Sequence, residues 1–204
     1  MIAHAVAGLV ITSPTVTTGR RPLHAYLWPA GMVLAELLVG ELAAEVRGRR
    51  VIELGCGLGA VGLAASRAGG DVLLTDVEAE ALALATTNAD GNGLAVRTAL
   101  LDWGRVPESL IGAFDVVLGS DITYGRDQLV PLLGAIAALL APGGCALLAD
   151  PDRLELDVLT LAAARAGLSV SRTLTTTAPP QVPTSDATED RPVHVYRLAP
   201  GPVR

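Results

Sequence analysis

The stretch Val51-Ile52-Glu53-Leu54-Gly55-Cys56-Gly57-Leu58-Gly59-Ala60-Val61-Gly62 runs from an apolar strand through a glycine turn into an Ala/Leu-rich helix. Glycine belongs in such a turn because the backbone must bend tightly and come close to a ligand, with the helix N-terminal amides facing it. About twenty residues further on, Asp76 closes the next apolar run, where a carboxylate can take both hydroxyls of a ribose. Together these features indicate an adenosine-bearing cofactor. Gly57-x-Gly59-x-x-Gly62 also satisfies the dinucleotide fingerprint, so a nicotinamide dehydrogenase has to be weighed.

On either side the chain alternates short apolar runs with helical periodicity, the pattern of βαβ units and a parallel sheet. Strands are expected at Arg50–Leu54, Asp71–Thr75, Val96–Leu101, Phe114–Gly119 and Cys145–Ala149, each apolar enough to be covered on both faces. Helices are expected at Met32–Val46, Ala60–Ala68, Ala79–Ala89, Gln128–Leu140 and Leu154–Ala166. Leu168–Thr175 and Val193–Leu198 follow as two strands in succession, so one of them should be antiparallel. Thr176–Arg191, rich in Thr, Pro and Asp, is expected to be a long mobile loop. Before the first helix a loop or short hairpin is expected. The fold class is α/β: a Rossmann-like seven-stranded sheet with an antiparallel C-terminal strand and helices on both faces. Residues 1–49 form an extension and helix packed on a core at 50–204, a single domain overall.

Composition agrees. The chain has 204 residues, 50% hydrophobic and only 18% charged, with mean hydropathy +0.47, which excludes a disordered or fibrous protein. The longest uncharged run, Gln128–Ala149, is broken by Pro131 and by Pro142-Gly143-Gly144, so no membrane crossing is expected. The apolar start, Ile2–Ile11, has neither a basic flank nor a small-residue cleavage site, so a signal peptide is rejected and the cytoplasm is expected. Net charge is −6, and no Arg cluster is interleaved with aromatics, which argues against a nucleic-acid partner. All 15 basic residues are Arg, a bias that points to a GC-rich genome and leaves no side-chain amine for Schiff-base chemistry. Cys56 and Cys145 have no metal-ligand spacing, so neither a zinc site nor a disulfide is expected.

The frame starting at Glu53 fits E-x-G-x-G-x-G, which resembles motif I of the class I, seven-β-strand S-adenosylmethionine (SAM) methyltransferases. Asp102-Trp103 after the third strand offers an acceptor for an adenine amine beside an indole that can stack on it. The chain also leaves no room for a dehydrogenase's substrate domain. Leu27-Trp28-Pro29-Ala30-Gly31, Leu101-Asp102-Trp103 and Asp121-Ile122-Thr123-Tyr124 resemble the METTL21/METTL20-like group (methyltransferase family 16), in which protein lysine methyltransferases predominate. Ala149-Asp150-Pro151-Asp152-Arg153 is similar to the G-D-P-x-R segment of the METTL20-like branch, although Thr123 stands where that branch has an aromatic.

The resemblance implies SAM as cofactor and no metal. It implies Glu53 and the Gly55/Gly57/Gly59 loop beside the methionine part, Asp76 on the ribose, Asp102 and Trp103 on adenine, Trp28 closing over the cofactor, and Ser120 among the cofactor contacts. Asp121 and Tyr124 would face the acceptor, a protein lysine or, alternatively, a small-molecule amine or hydroxyl. The bland readings are that Asp121 caps a turn, Tyr124 is a packed core tyrosine and Trp28 is a hydrophobic plug. A non-catalytic binding module with this fold would have no need of the Glu53, Asp76 and Asp102 set. Of the histidines, only His24 could reach the mouth of the pocket.

Overall fold

A computed structural model of the chain describes residues 1–15, 22–123, 125–153, 155–177 and 192–201. In chain order the elements are β1 (Ile2–Val6), β2 (Leu9–Ser13), α1 (Pro29–Val39), α2 (Ala43–Val46), β3 (Arg50–Leu54), α3 (Ala60–Arg67), β4 (Asp71–Asp76), α4 (Ala79–Gly91) and β5 (Arg97–Leu100). They continue as β6 (Phe114–Ser120), α5 (Arg126–Leu139), β7 (Leu140–Asp150), α6 (Leu156–Arg165), β8 (Leu168–Thr177) and β9 (Pro192–Pro200). The sheet has seven strands in the order β5-β4-β3-β6-β7-β9-β8, parallel except that β9 runs antiparallel to both neighbours. The expected α/β fold with a reversed C-terminal strand is therefore present.

The strand order reverses between β3 and β6, and the crevice beyond their carboxyl ends is where ligands bind in sheets of this kind. The central strands, buried on both faces, divide the core in two. On one side Leu34, Leu38, Leu63, Leu74 and Ala85 pack beneath α1, α3 and α4; on the other, Leu132, Leu133, Ile136 and Leu159 pack beneath α5 and α6. Gly62 lies where α3 crosses β4. A Cβ there would fall 2.1 Å from Leu74 Cδ2 and 2.6 Å from Glu53 Oε2, both in the interior, so only hydrogen fits. This third glycine is needed for helix–sheet packing.

Several boundaries differ from the sequence expectation. The expected helix over Met32–Val46 is two helices, because the chain leaves α1 at Gly40 before α2 begins. The strand expected at Cys145 begins at Leu140, which pairs with Phe114 ahead of a register shift that absorbs the Pro142-Gly143-Gly144 segment. Thr176 and Thr177 extend β8 and are not part of a loop; the remainder of that stretch, 178–191, lies outside the described residues.

A hairpin does precede the first helix, at β1–β2, and an unusual device holds it. Asn88 on α4 and Asn92, the residue that caps its C-terminus, pair with the backbone of β2 as a neighbouring strand would. Asn88 Oδ1 accepts from Thr12 N (2.8 Å) and its amide donates to the carbonyls of Thr12 and Leu58. Asn92 Oδ1 accepts from Val10 N and its amide returns a bond to the Val10 carbonyl, each at 2.9 Å. Because Leu58 belongs to the glycine turn, the hairpin is tied to that turn through a single side chain.

Candidate active site

A cavity of about 840 Å³ opens at the carboxyl ends of β3, β4, β5 and β6, within the range of small-molecule sites. Trp28, Glu53, Gly55, Gly57, Asp76, Asp102, Trp103, Ser120 and Asp121 all line it, so the sequence candidates come together in one place. Gly59 does not line it. With φ +83° it caps the N-terminus of α3, and a Cβ there would meet Ala85 at 3.0 Å, so its role is close packing. Tyr124 lies outside the described residues.

The glycine turn is shaped by its neighbours. At Gly55 (φ +63°) a Cβ would stand 2.9 Å from Ile122 and 3.5 Å from the Trp103 indole. Asp76 fastens the turn to β4: Oδ2 accepts the Gly57 amide at 3.0 Å, and Oδ1 accepts Glu78 N at 3.1 Å. A carboxylate has about four acceptor positions, so two remain for a pair of hydroxyls. Asp102 is exposed at the end of β5, its Oδ1 held by Gly104 N at 2.8 Å, with half-buried Trp103 beside it.

Glu53 is buried beneath the turn, its Oε2 accepting the Gly62 amide at 2.9 Å. Burial, reinforced by nearby Asp76 and only partly offset by that amide, pushes its carboxyl up to about 8. The sign of the linkage follows: between about pH 4.5 and 8 the unfolded chain holds Glu53 ionised while the folded chain keeps it protonated, so stability falls as pH rises through this window. Urea unfolding of the cofactor-free protein should show a loss of ~2–4 kcal/mol across the window, most of it absent in Glu53→Gln. A flat profile for the parent protein would contradict this environment for Glu53. Asp121 adds a smaller effect of the same sign below its own raised value of about 6.

Asp121 follows β6 with φ +56°, a conformation that Asp tolerates better than most residues. Its carboxylate is almost wholly enclosed. Oδ2 accepts the Ala30 amide at 3.0 Å and so caps the start of α1 from 91 positions away. Oδ1 lies 3.0 Å from Arg153 Nη1, an ion pair without hydrogen-bond alignment, since Oδ1 has no hydrogen-bond partner among the described residues. Burial raises the Asp121 carboxyl to about 6, against the opposing pull of Arg153 and the Ala30 amide. The Arg153 guanidinium also lies over the Trp28 ring, 5.4 Å from its centroid, while Trp28 Nε1 donates to the Leu23 carbonyl at 3.0 Å.

His24 lines the cavity, as expected, and so do Tyr26, Glu78, Glu80 and Gln128, which the sequence reading did not single out. Glu78 and Glu80 could have been found from their position two and four places after Asp76. Gln128 carries no motif. Among the described residues no cluster of His, Cys, Asp and Glu suits a metal ion, and no helix is long and apolar enough to cross a membrane.

The residues fit SAM well. Carboxylates at Asp76, Glu78 and Glu80 suit a cationic ligand, the protonated Glu53 adds a buried polar group beneath the turn, Asp76 suits a ribose, Asp102 and Trp103 suit adenine, and the side-chain-free Gly55 and Gly57 give the ligand backbone access. Fold and cavity together define a class I SAM-dependent methyltransferase, and the nicotinamide alternative falls away. The family model for lysine methyltransferases matches residues 17–159, and the chain belongs to that family. It is 37% identical over 139 residues to EEF1A lysine methyltransferase 3 of Mus musculus, an alignment covering 67% of this chain and 59% of that protein. It is 32% identical to Protein N-lysine methyltransferase METTL21A of Danio rerio, over 87% of this chain and 78% of the relative. In fold it is similar to a TehB-like SAM-dependent methyltransferase from Corynebacterium glutamicum, with TM-score 0.60 and 20% identity over 86% of this chain and 89% of that one.

Proposed function

We propose that this chain transfers the methyl group of SAM to the side-chain nitrogen of a lysine in a protein acceptor. The observation that carries the reading is the pairing of a buried carboxylate, Asp121, with the Trp28 ring at the edge of the cofactor cavity, a combination suited to a cationic amine. Membership of the lysine methyltransferase family supports it. Bound SAM supplies an electrophilic methyl on sulfonium, and the protein's task is distance, alignment and exclusion of bulk water. Trp28, Leu27 and Ile122 provide apolar wall, and Asp121 orients the acceptor nitrogen. Lysine, with a reference pKa of about 10.4, must shed a proton before attack, which a partly desolvated site beside a sulfonium favours.

A small-molecule amine is the second reading, favoured by the wall that Pro22, Leu23, His24 and Tyr26 build along the cavity. Calorimetry should first show binding of SAM and S-adenosylhomocysteine without binding of NAD. Incubation with labelled SAM and a whole-cell extract should then place the label in methyl-lysine of hydrolysed protein. Label confined to the low-molecular-weight fraction would replace the protein acceptor with a metabolite, and NAD binding alone would overturn the cofactor. Elongation factor 1A, named in a relative, is the first defined acceptor to assay.

A further inference from the structure

Next to the cofactor cavity lies a second one of about 200 Å³, lined by Leu23, Trp28, Asp121 and Arg153. Leu23, Trp28 and Asp121 line both cavities, so this is the approach to the reacting end of the site. Taking Asp121 as the acceptor-side carboxylate, as proposed above, leaves a difficulty: neither of its oxygens is open to an incoming group. Oδ2 serves the Ala30 amide, and Oδ1 is buried behind the guanidinium of Arg153. That guanidinium touches the two surfaces that suit a lysine ammonium, the Asp121 carboxylate and the Trp28 face.

We infer that Arg153 is the protein's internal stand-in for the acceptor's cationic side chain, holding the carboxylate–aromatic site until a substrate cation displaces it. The surroundings of Arg153 suit an arm on a fixed post. Its backbone amide donates to Asp150 Oδ1 at 2.6 Å, and the fully buried Asp150 is held in turn by the Thr123 hydroxyl through its other oxygen. On the other side, neighbouring Asp152 is anchored by His194 Nε2 at 3.1 Å. The Arg153 side chain is itself 26% exposed, so the guanidinium can turn outward into water while its backbone stays in place.

The exchange also selects. A cation that replaces Arg153 leaves Asp121 paired, whereas a neutral alcohol would leave a buried carboxylate with no counter-charge. The site therefore favours a lysine ammonium or another cationic amine over hydroxyl acceptors at the binding step.

The test uses n-butylamine, a cation at neutral pH that copies the lysine side chain, with n-butanol as the neutral comparator, each titrated by NMR into the full-length protein saturated with S-adenosylhomocysteine. Arg153→Met should bind n-butylammonium about tenfold more tightly than the parent, and Arg153→Lys, which keeps a resident cation, should stay within about threefold of it. Neither variant should gain affinity for n-butanol. Equal n-butylammonium affinity in parent and Arg153→Met, or an equal gain for n-butanol, would overturn the inference. Arg153→Gln, which keeps much of the stem, repeats the comparison should the Met variant fail to fold. None of these titrations needs turnover, so a failed lysine methylation assay would sink the acceptor reading and leave this result to stand or fall alone.

Discussion

Replacing Asp121 with Asn is expected to lower methyl transfer by about 100-fold or more while S-adenosylhomocysteine affinity stays within a few-fold. The amide keeps an oxygen for the Ala30 N–H, so the start of α1 remains capped, and what is lost is the negative charge that would hold a cationic acceptor. Arg153, deprived of its partner, can turn to water, which keeps the stability cost near ~1 kcal/mol. Asp121→Ala removes the cap as well and should cost a further ~1 kcal/mol. Calorimetry and urea unfolding alongside turnover separate these contributions. Turnover of Asp121→Asn close to that of the parent protein would reduce Asp121 to a helix cap.

The second large effect is expected at Asp76. Its carboxylate joins the glycine turn to the end of β4 through the amides of Gly57 and Glu78, and it is the acid we propose for the ribose of SAM. Asp76→Ala should weaken SAM binding about 100-fold and cost ~1–3 kcal/mol of stability, since two amides lose their acceptor together with the ligand's hydroxyls. Asp76→Asn, which retains one oxygen for an amide, should recover most of the stability and only part of the affinity. If Asp76→Ala binds SAM within threefold of the parent, the residue is a strut for the turn and no ribose ligand.

Much of this was legible in the sequence because it depends on local pattern. Apolar runs mark β3, β4 and β6, and Glu53, Gly55, Gly57 and Asp76, picked out by local pattern, line one cavity. What escaped depends on partners distant along the chain. Nothing near Asp121 signals that its carboxylate caps a helix 91 positions earlier, or that Arg153 returns to cover its other oxygen. Pro142-Gly143-Gly144 reads locally as a turn, yet pairing of Leu140 with Phe114 draws it into β7. The break at Gly40 lies inside an unbroken apolar periodicity, and helical spacing alone does not see it.

The asparagine pair at the C-terminal end of α4 bears on how the molecule keeps itself apart from its neighbours. A two-stranded hairpin near the start of a chain presents strand edges whose unpaired amides and carbonyls can recruit another polypeptide. Here Asn88 and Asn92 occupy the β2 edge with side chains that imitate a backbone, so a second copy finds the positions at Val10 and Thr12 already taken. A helix thus does the work of a missing third strand, and protection against edge-to-edge aggregation comes from two amides, one of which, Asn88, also steadies the glycine turn through Leu58.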